Sequence, residues 1–217
     1  MPTRRKPVPS KAAPTKVAPT TRGEVTRTKL LQVAHGLFLE NGFHGTSMRD
    51  IADAAGIAVG GIYNHFSDKE AIFAAVLDAY HPYHVILPAL EAIEAETVED
   101  FMREASRRLY EGVTGAKAQL LPILFIELVE FQGRHLKQLM ERLMPTLLNF
   151  IQGFSQRRGQ LRPIPPPVMF RTYMGMLAGY FLSEMLLRDT PLFSQAGVDW
   201  FNGMVDIYLH GILESEA

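Results

Sequence analysis

Apolar residues recur every three or four positions along nearly the whole chain from residue 23 onward, the period of helices that turn one face to a core. Over residues 24–41, Leu30, Leu31, Ala34, Leu37 and Phe38 share one side, and Gly42 supplies a stop. A short second helix follows from Thr46 or Ser47, either of which can cap it, and ends at Gly56; a third occupies residues 58–64. Ser67-Asp68-Lys69-Glu70 reads as a capping box, which starts a fourth helix at Asp68 carrying Ile72, Phe73, Val76 and Tyr80. Pro82 and Pro88 are expected to kink or break it. Further helical patterns cover 98–115, 119–132, 135–157, 167–188 and 196–213, with Gly115, Gly133, Gly159, the 163–167 proline run and Pro191 as breakers. No alternating strand pattern occurs, and Asn41-Gly42 ends a helix rather than joining two strands. The fold class is therefore all-α, without internal repeats.

Composition adds a boundary. Residues 1–21 hold Pro2, Pro7, Pro9, Pro14 and Pro19 among Lys, Arg, Ala and Thr, too little apolar surface to offset chain entropy, so a disordered arm is expected there. Charge sharpens it: residues 1–29 carry eight Lys and Arg against Glu24 alone, net +7, while the remainder is net −8. A basic arm on an acidic body suits a polyanion met at the N-terminal end, although a solvated tail has the same composition. There is no cysteine, which excludes disulfides and thiolate metal sites. No stretch reaches the roughly 18 uncharged apolar residues of a membrane span. The basic N-terminus also lacks the apolar core of a secretory signal, so a cytoplasmic protein without membrane partners is expected.

Residues 46–66 read TSMRDIADAAGIAVGGIYNHF. Ile51, Ala55, Ile57, Ile62 and Phe66 can face inward around a helix, a glycine-containing turn at Gly56 and a second short helix. That is a helix-turn-helix layout, whose second helix enters the major groove in DNA-binding proteins. Periodicity alone leaves open helical pairs that never touch DNA. The residues are more specific. Phe38, Gly42-Phe43, the run from Thr46 to Ala52, Ala55-Gly56-Ile57, the run from Gly60 to Phe66, and Lys69-Glu70 together resemble the N-terminal domain of the TetR (tetracycline-repressor-like) family over about residues 27–75.

The resemblance implies an all-α regulator: a three-helix helix-turn-helix domain at 22–72, joined through the fourth helix to a helical ligand-binding and dimerisation domain at 73–217. Its partners would be a palindromic double-stranded operator, a second copy of the chain, and a small apolar or aromatic effector that releases the DNA. Thr46 and Ser47 would offer hydroxyls and backbone N–H groups at a helix N-terminus to phosphate. Tyr63, His65 and Lys69 resemble further phosphate contacts; for Tyr63 and His65, packing between helices is the alternative. Ala58, Val59, Gly60 and Gly61 make the recognition helix poor in hydrogen-bonding side chains, suited to thymine methyls and close backbone approach. Base reading then falls to Arg49, Tyr63 and Asn64, unless Arg49 pairs with Asp53 one turn on. The basic arm could add minor-groove contacts.

Farther on, Tyr80, His84, Phe101, Phe125, Phe131, Met140, Met144 and Phe150 are candidates to line an apolar effector pocket, though each alone reads as ordinary core. Glu127, Glu130, Arg134 and Lys137 fall at helical spacing, read as a solvated face with a Glu130–Arg134 pair. His81 and His84 would need a third ligand to hold a metal, so no metal or cofactor is expected. Gly175 and Gly179 permit close approach of another backbone, and Val198, Phe201, Val205, Tyr208 and Ile212 make one stripe. Tyr173, Met176, Gly179, Tyr180, Phe201, Val205 and Tyr208 are accordingly expected at a four-helix dimer interface, with intrachain core as the alternative. No P-loop, nucleophile elbow, zinc-protease or dinucleotide motif occurs, which argues against an enzyme. The competing readings are a helical carrier of hydrophobic ligands and a DNA binder without ligand control.

Overall fold

The computed structural model describes residues 21–157, 159, 161–191, 193 and 197–213, with the side chains of 115–119 and 155 outside the description; the expected arm, Thr21 apart, also lies outside. The described elements are α1 (Arg22–Asn41), α2 (Met48–Ala55), α3 (Val59–Ile62), α4 (Lys69–Tyr80), α5 (Tyr83–Glu91), α6 (Val98–Phe131), α7 (Arg134–Ser155), α8 (Pro166–Leu187) and α9 (Trp200–Ile212). Among the described residues the only β pairing is an isolated bridge between Leu161 and Leu213, so the fold is all-α. The helices group into two units. One holds the residues up to Val85 together with Gly112–Arg142, the other Ile86–Glu111 with the rest from Leu143.

Local chemistry sets the helix ends of the first unit. Thr21 and Glu24 form a capping box at α1, and Ser47 with Asp50 forms another at α2, where Ser47, not Thr46, is the cap. Asp68 caps α4 by accepting the Ala71 N–H at 2.7 Å, while Ser67 donates to Asp68; the expected reciprocal box with Glu70 is not formed. Gly42 and Gly56 stop α1 and α2 with φ of +72° and +69°, values that suit glycine because no Cβ crowds the carbonyl. The core between these helices is Leu30, Ala34 and Phe38 of α1, Ile51 and Ala55 of α2, Ile62 of α3, Ile72, Phe73 and Val76 of α4, and Ile123 and Phe131 of α6. His35 lies flat on Tyr80 at 3.8 Å between ring centres.

Two breakers expected from sequence act differently. Gly115 does not divide α6, which runs 34 residues unbroken; one glycine inside a helix costs only about 1 kcal/mol, which a long packed helix absorbs. Pro88 lies within α5, and the break falls at His81-Pro82. Where α6 does end, Gln132 and Gly133 adopt φ of 53° and 76°. The expected solvated face is not formed there. Glu127 is fully buried and reaches past the corner, its carboxylate accepting the backbone N–H groups of His135 (2.7 Å) and Leu136 (3.1 Å) and meeting His135 Nδ1 at 2.8 Å. The turn removes Glu130 and Arg134 from one helix: Glu130 meets His44 at 2.8 Å, and Arg134 donates to Glu70 of α4 at 2.6 Å. His81 and His84 lie beside Asp78, which also accepts from Tyr83 Oη and Arg142, both at 2.9 Å. Among the described residues no three His, Cys, Asp or Glu side chains converge to hold a metal ion.

In the second unit, Met169, Tyr173, Leu177 and Phe181 of α8 pack inward, as do Phe201, Val205, Tyr208 and Ile212 of α9, and Tyr208 Oη donates to the Met169 carbonyl at 2.9 Å. Ser106 and Tyr173 hydroxyls are hydrogen-bonded, and Arg103 joins α6 to α9 through Asp206 at 2.6 Å.

Removing the buried acceptor by Glu127→Ala leaves two N–H groups and an imidazole without their partner. The expected loss is about 3–5 kcal/mol of unfolding free energy, read by urea titration. Burial, with His84 adding and Asp78 opposing, holds His81 down at about 4 against an ordinary 6.5. The unfolded chain thus binds the proton more readily. The His81 contribution is intact above pH 6.5 and is lost as the pH falls through about 4, so His81→Asn should flatten the stability profile across that window.

Candidate nucleic-acid interface

The residues between α1 and α4 form the turn that the helix-turn-helix expectation singles out. Gly56 at the end of α2 gives its N–H to the carbonyls of Ala52 and Asp53, and Ile57 N–H returns to Ala52, so these two residues close α2 and fix the exit of the chain. Ala58 opens α3 in extended conformation without a side-chain cap, and Ile62 turns into the core. This leaves the outer side of α3 bare. A Cβ built on Gly60 or Gly61 meets nothing within 4 Å. Tyr63, 53% exposed, stands at the end of this surface, followed by exposed Asn64 and half-buried His65. Arg49 is exposed on α2, and among the described ion pairs none joins it to Asp53. Asp50 keeps its charge on the capping box, where the Ser47 hydroxyl and backbone N–H hold its carboxyl below the usual range.

Two expected phosphate contacts are turned inward. Thr46 is 2% exposed, and its hydroxyl lies 3.1 and 2.9 Å from the carbonyls of Leu37 and Gly42. The single proton of the threonine hydroxyl is shared between these two carbonyls near the end of α1 and is not offered to solvent. Lys69 donates to the Phe43 carbonyl at 2.6 Å with its ammonium 4.2 Å from the Phe43 ring centre, and burial lowers its pKa. Conversely, Arg27 and Lys29, counted in the sequence only as basic charge, stand beside the turn. Arg27 covers Phe66 at 4.7 Å, and Lys29 Nζ lies 3.9 Å from where a Gly56 Cβ would be. No local spacing marks them, because the turn they approach lies some 27–39 residues onward.

Residues 30–76 match the family described as bacterial regulatory proteins, tetR family. Over that segment the N-terminal domain of the chain is similar to that family. It is 33% identical over 99 residues to the HTH-type transcriptional regulator UidR of Escherichia coli K12, covering 46% of this chain and 50% of UidR. It is 48% identical over 54 residues to the HTH-type transcriptional repressor KstR2 of Rhodococcus jostii, covering 25% of this chain and 26% of that protein. The matches thus span about half the length of the curated relatives or less. In fold, 89% of the chain superposes on the whole of NalD, the secondary repressor of the MexAB-OprM multidrug efflux pump in Pseudomonas aeruginosa, with a TM-score of 0.65 and 24% identity. The likeness in fold therefore extends beyond the matched domain.

The candidate effector residues are divided between the units. In the first, Tyr80 is covered by His35, Phe131 is buried among Phe43, Phe73 and His135, Met140 and His84 are half-buried, and Phe125 is 44% exposed. In the second, Phe101 is buried against Phe150, and Met144 is 46% exposed. None of the eight lines the cleft of about 830 Å³ that opens in the second unit beside Tyr110, Tyr180 and Trp200.

The dimer candidates separate as well. Tyr173, Phe201, Val205 and Tyr208 are buried between α8 and α9 of one chain, so they cannot present an exposed face; Met176 and Tyr180 are half-buried, and Gly179 is exposed. Both helices are apolar nearly all round, so the inward stripe left a second one outside. On α8 it runs Val168, Thr172, Gly175, Gly179, Leu182 and Leu186, all exposed at alternating steps of four and three. On α9 it includes Ile207, 70% exposed, and Gly211.

Thr46→Val should cost about 1–3 kcal/mol of stability, and Thr46→Ser much less, because only the former removes the buried hydroxyl donor. At temperatures where both variants are folded, DNA affinity measured by anisotropy should stay within about two-fold of wild type. A large affinity loss with stability intact would show that the hydroxyl serves phosphate.

Proposed function

We propose that this protein is a transcriptional repressor that binds a palindromic operator as a homodimer and is released from it by a small apolar or aromatic effector. The observation that carries the reading is the surface of α2 and α3: a fixed Gly56 turn, bare Gly60 and Gly61, and exposed Arg49, Tyr63 and Asn64 around them. Without side chains on its outer side, α3 can bring its backbone against the groove floor and leave Ala58 and Val59 to meet thymine methyls. Arg49 and Asn64 supply the directional hydrogen bonds, while Tyr63, His65, Arg27 and Lys29 serve phosphates. KstR2 and NalD, both described as repressors, support the direction of control. Such a regulator works beside the DNA in the cytoplasm.

A second copy supplies the symmetry. One such domain reads few base pairs, and two bind half-sites about one helical turn apart. The exposed α8 stripe has the seven-residue repeat of helices that pair lengthwise, and Gly175 and Gly179 let backbones approach within it. Effector control is a shift between two states of the dimer. Moving a 1:99 balance to 99:1 requires the effector to favour the DNA-incompetent state by about 5.5 kcal/mol.

Selection of bound DNA from a random pool tests the reading. Wild-type protein should enrich a palindrome, and Tyr63→Ala, at an exposed position, should weaken binding to it at least ten-fold without changing thermal stability. Leu182→Asp/Ile207→Asp should sediment as a monomer and lose the palindrome while keeping its helical content. Enrichment of no sequence by the wild-type protein at modest salt would point instead to a helical carrier. Enrichment of a palindrome that no apolar compound releases would leave a DNA binder without ligand control.

A further inference from the structure

The outer side of the α2–α3 turn divides by chemistry. Ala58 is exposed, Val59 is half-buried against the core, and Gly60 and Gly61 carry no side chain, with open space where a Cβ would stand on either. Several polar side chains around them are engaged elsewhere. Thr46 is turned onto the carbonyls of Leu37 and Gly42, Ser47 donates to Asp50 at 2.6 Å, Lys69 is held by the Phe43 carbonyl, and Arg27 lies over Phe66. The exposed hydrogen-bonding groups stand at the margins: Arg49 and Asp53 on α2, and Tyr63 and Asn64 after α3. Between those margins, residues 58–61 present apolar groups and backbone.

Such a surface can tell base pairs apart in one principal way. In the major groove, thymine differs from cytosine by an O4 acceptor in place of an amino donor, and by its 5-methyl group. The hydrogen-bonding half of that code needs a side chain that donates or accepts, and residues 58–61 have none. The methyl is read by contact alone. Burying it against Ala58 or Val59 withdraws apolar surface from water, and the bare Gly60 and Gly61 let the two surfaces close. Uracil keeps thymine's pairing and its O4 but lacks the methyl, whereas 5-methylcytosine carries the methyl on a G·C pair. These two bases separate the methyl from the other differences between A·T and G·C.

On this ground, and resting on the DNA reading proposed above, we infer that α3 selects C5-methylated pyrimidines. The 5-methyl group is the mark read under residues 58–61, so the protein distinguishes thymine from uracil there and accepts 5-methylcytosine in thymine's place. Arg49 and Asn64 then read the flanking pairs by hydrogen bonds. Withdrawing one methyl carbon from water gives about a four-fold preference, and a palindrome presents each position twice, for about 15-fold in all. Gly60 is a positioning residue in this scheme: its missing Cβ sets how near the backbone comes to the groove floor.

The palindrome enriched by the wild-type protein is synthesised with deoxyuridine at each thymine in turn, symmetrically in both half-sites, and titrated with full-length protein by anisotropy. At one or more thymines of the half-site, uracil should weaken binding about 15-fold. Cytosine at the same position should also bind weakly, and 5-methylcytosine should recover several-fold of that loss. Ala58→Gly should lower the thymine-over-uracil ratio at one such position and leave it intact at the others, a pairwise coupling that a general change in DNA shape does not produce. Gly60→Ala should keep or raise thermal stability, because a helical alanine meets no neighbour there, and should weaken the operator about five-fold or more. Four results overturn the inference and leave the DNA reading standing: a palindrome indifferent to uracil throughout, half-sites without thymine, 5-methylcytosine bound no better than cytosine, or Gly60→Ala binding as wild type. Enrichment of no sequence overturns the DNA reading and this inference with it.

Discussion

Four phenylalanine rings hold the first unit in one arrangement. Phe38 of α1, Phe43 of the α1–α2 loop, Phe73 of α4 and Phe131 at the end of α6 contact one another at 4.7–5.8 Å between centres, mostly edge to face. The three short helices of a helix-turn-helix enclose little apolar volume, and a core that small is marginal by itself. Rings contributed by α4 and α6 enlarge it. The loop carrying Phe43 also leads into Thr46 and Ser47, so the start of α2 is positioned by the same cluster.

Polar groups at the rim serve that core before they serve any ligand. Thr46 bonds the Leu37 and Gly42 carbonyls, Lys69 bonds the Phe43 carbonyl, and Glu127 serves the start of α7 from the helix before it. Each buried donor or acceptor left unserved costs more than a surface contact returns, so these side chains are drawn inward. The outward surface that remains is small and plain: Arg49, Ala58, Gly60, Tyr63 and Asn64. As the proposed reading surface it offers backbone proximity and shape, with few side-chain bonds to adjust.

The second unit faces a different constraint. Helices α8 and α9 carry more apolar surface than one interface can cover. One stripe of each closes the chain's own core, and the other lies exposed. Exposed apolar stripes of this length mark association surfaces. The aromatic cleft at the C-terminal end of α8 and the start of α9 adds a surface of another character, with carboxylates among the rings.

Much that depends on near neighbours was legible in the sequence: the all-helical class, the Gly42 and Gly56 stops, the start of α4 at Asp68, and the spaced residues from Phe38 to Glu70 that carry the family resemblance, whereas the choice of Ser47 over Thr46 as cap was left open and the Ser67–Glu70 box did not form. Capping and helical period act within a turn or two, so a local string of residues specifies them. Which partner each face meets was decided by tertiary structure alone. The stripe of Phe201, Val205 and Tyr208 was visible as a stripe, yet its period is the same whether it packs on α8 of its own chain or on another copy. Glu127 and Arg134 had the spacing of a solvated face until the Gln132-Gly133 turn separated them, one into the core and one onto Glu70, 64 residues away. Contacts over such separations leave no local signature, because they follow from how helices pack rather than from how each one forms.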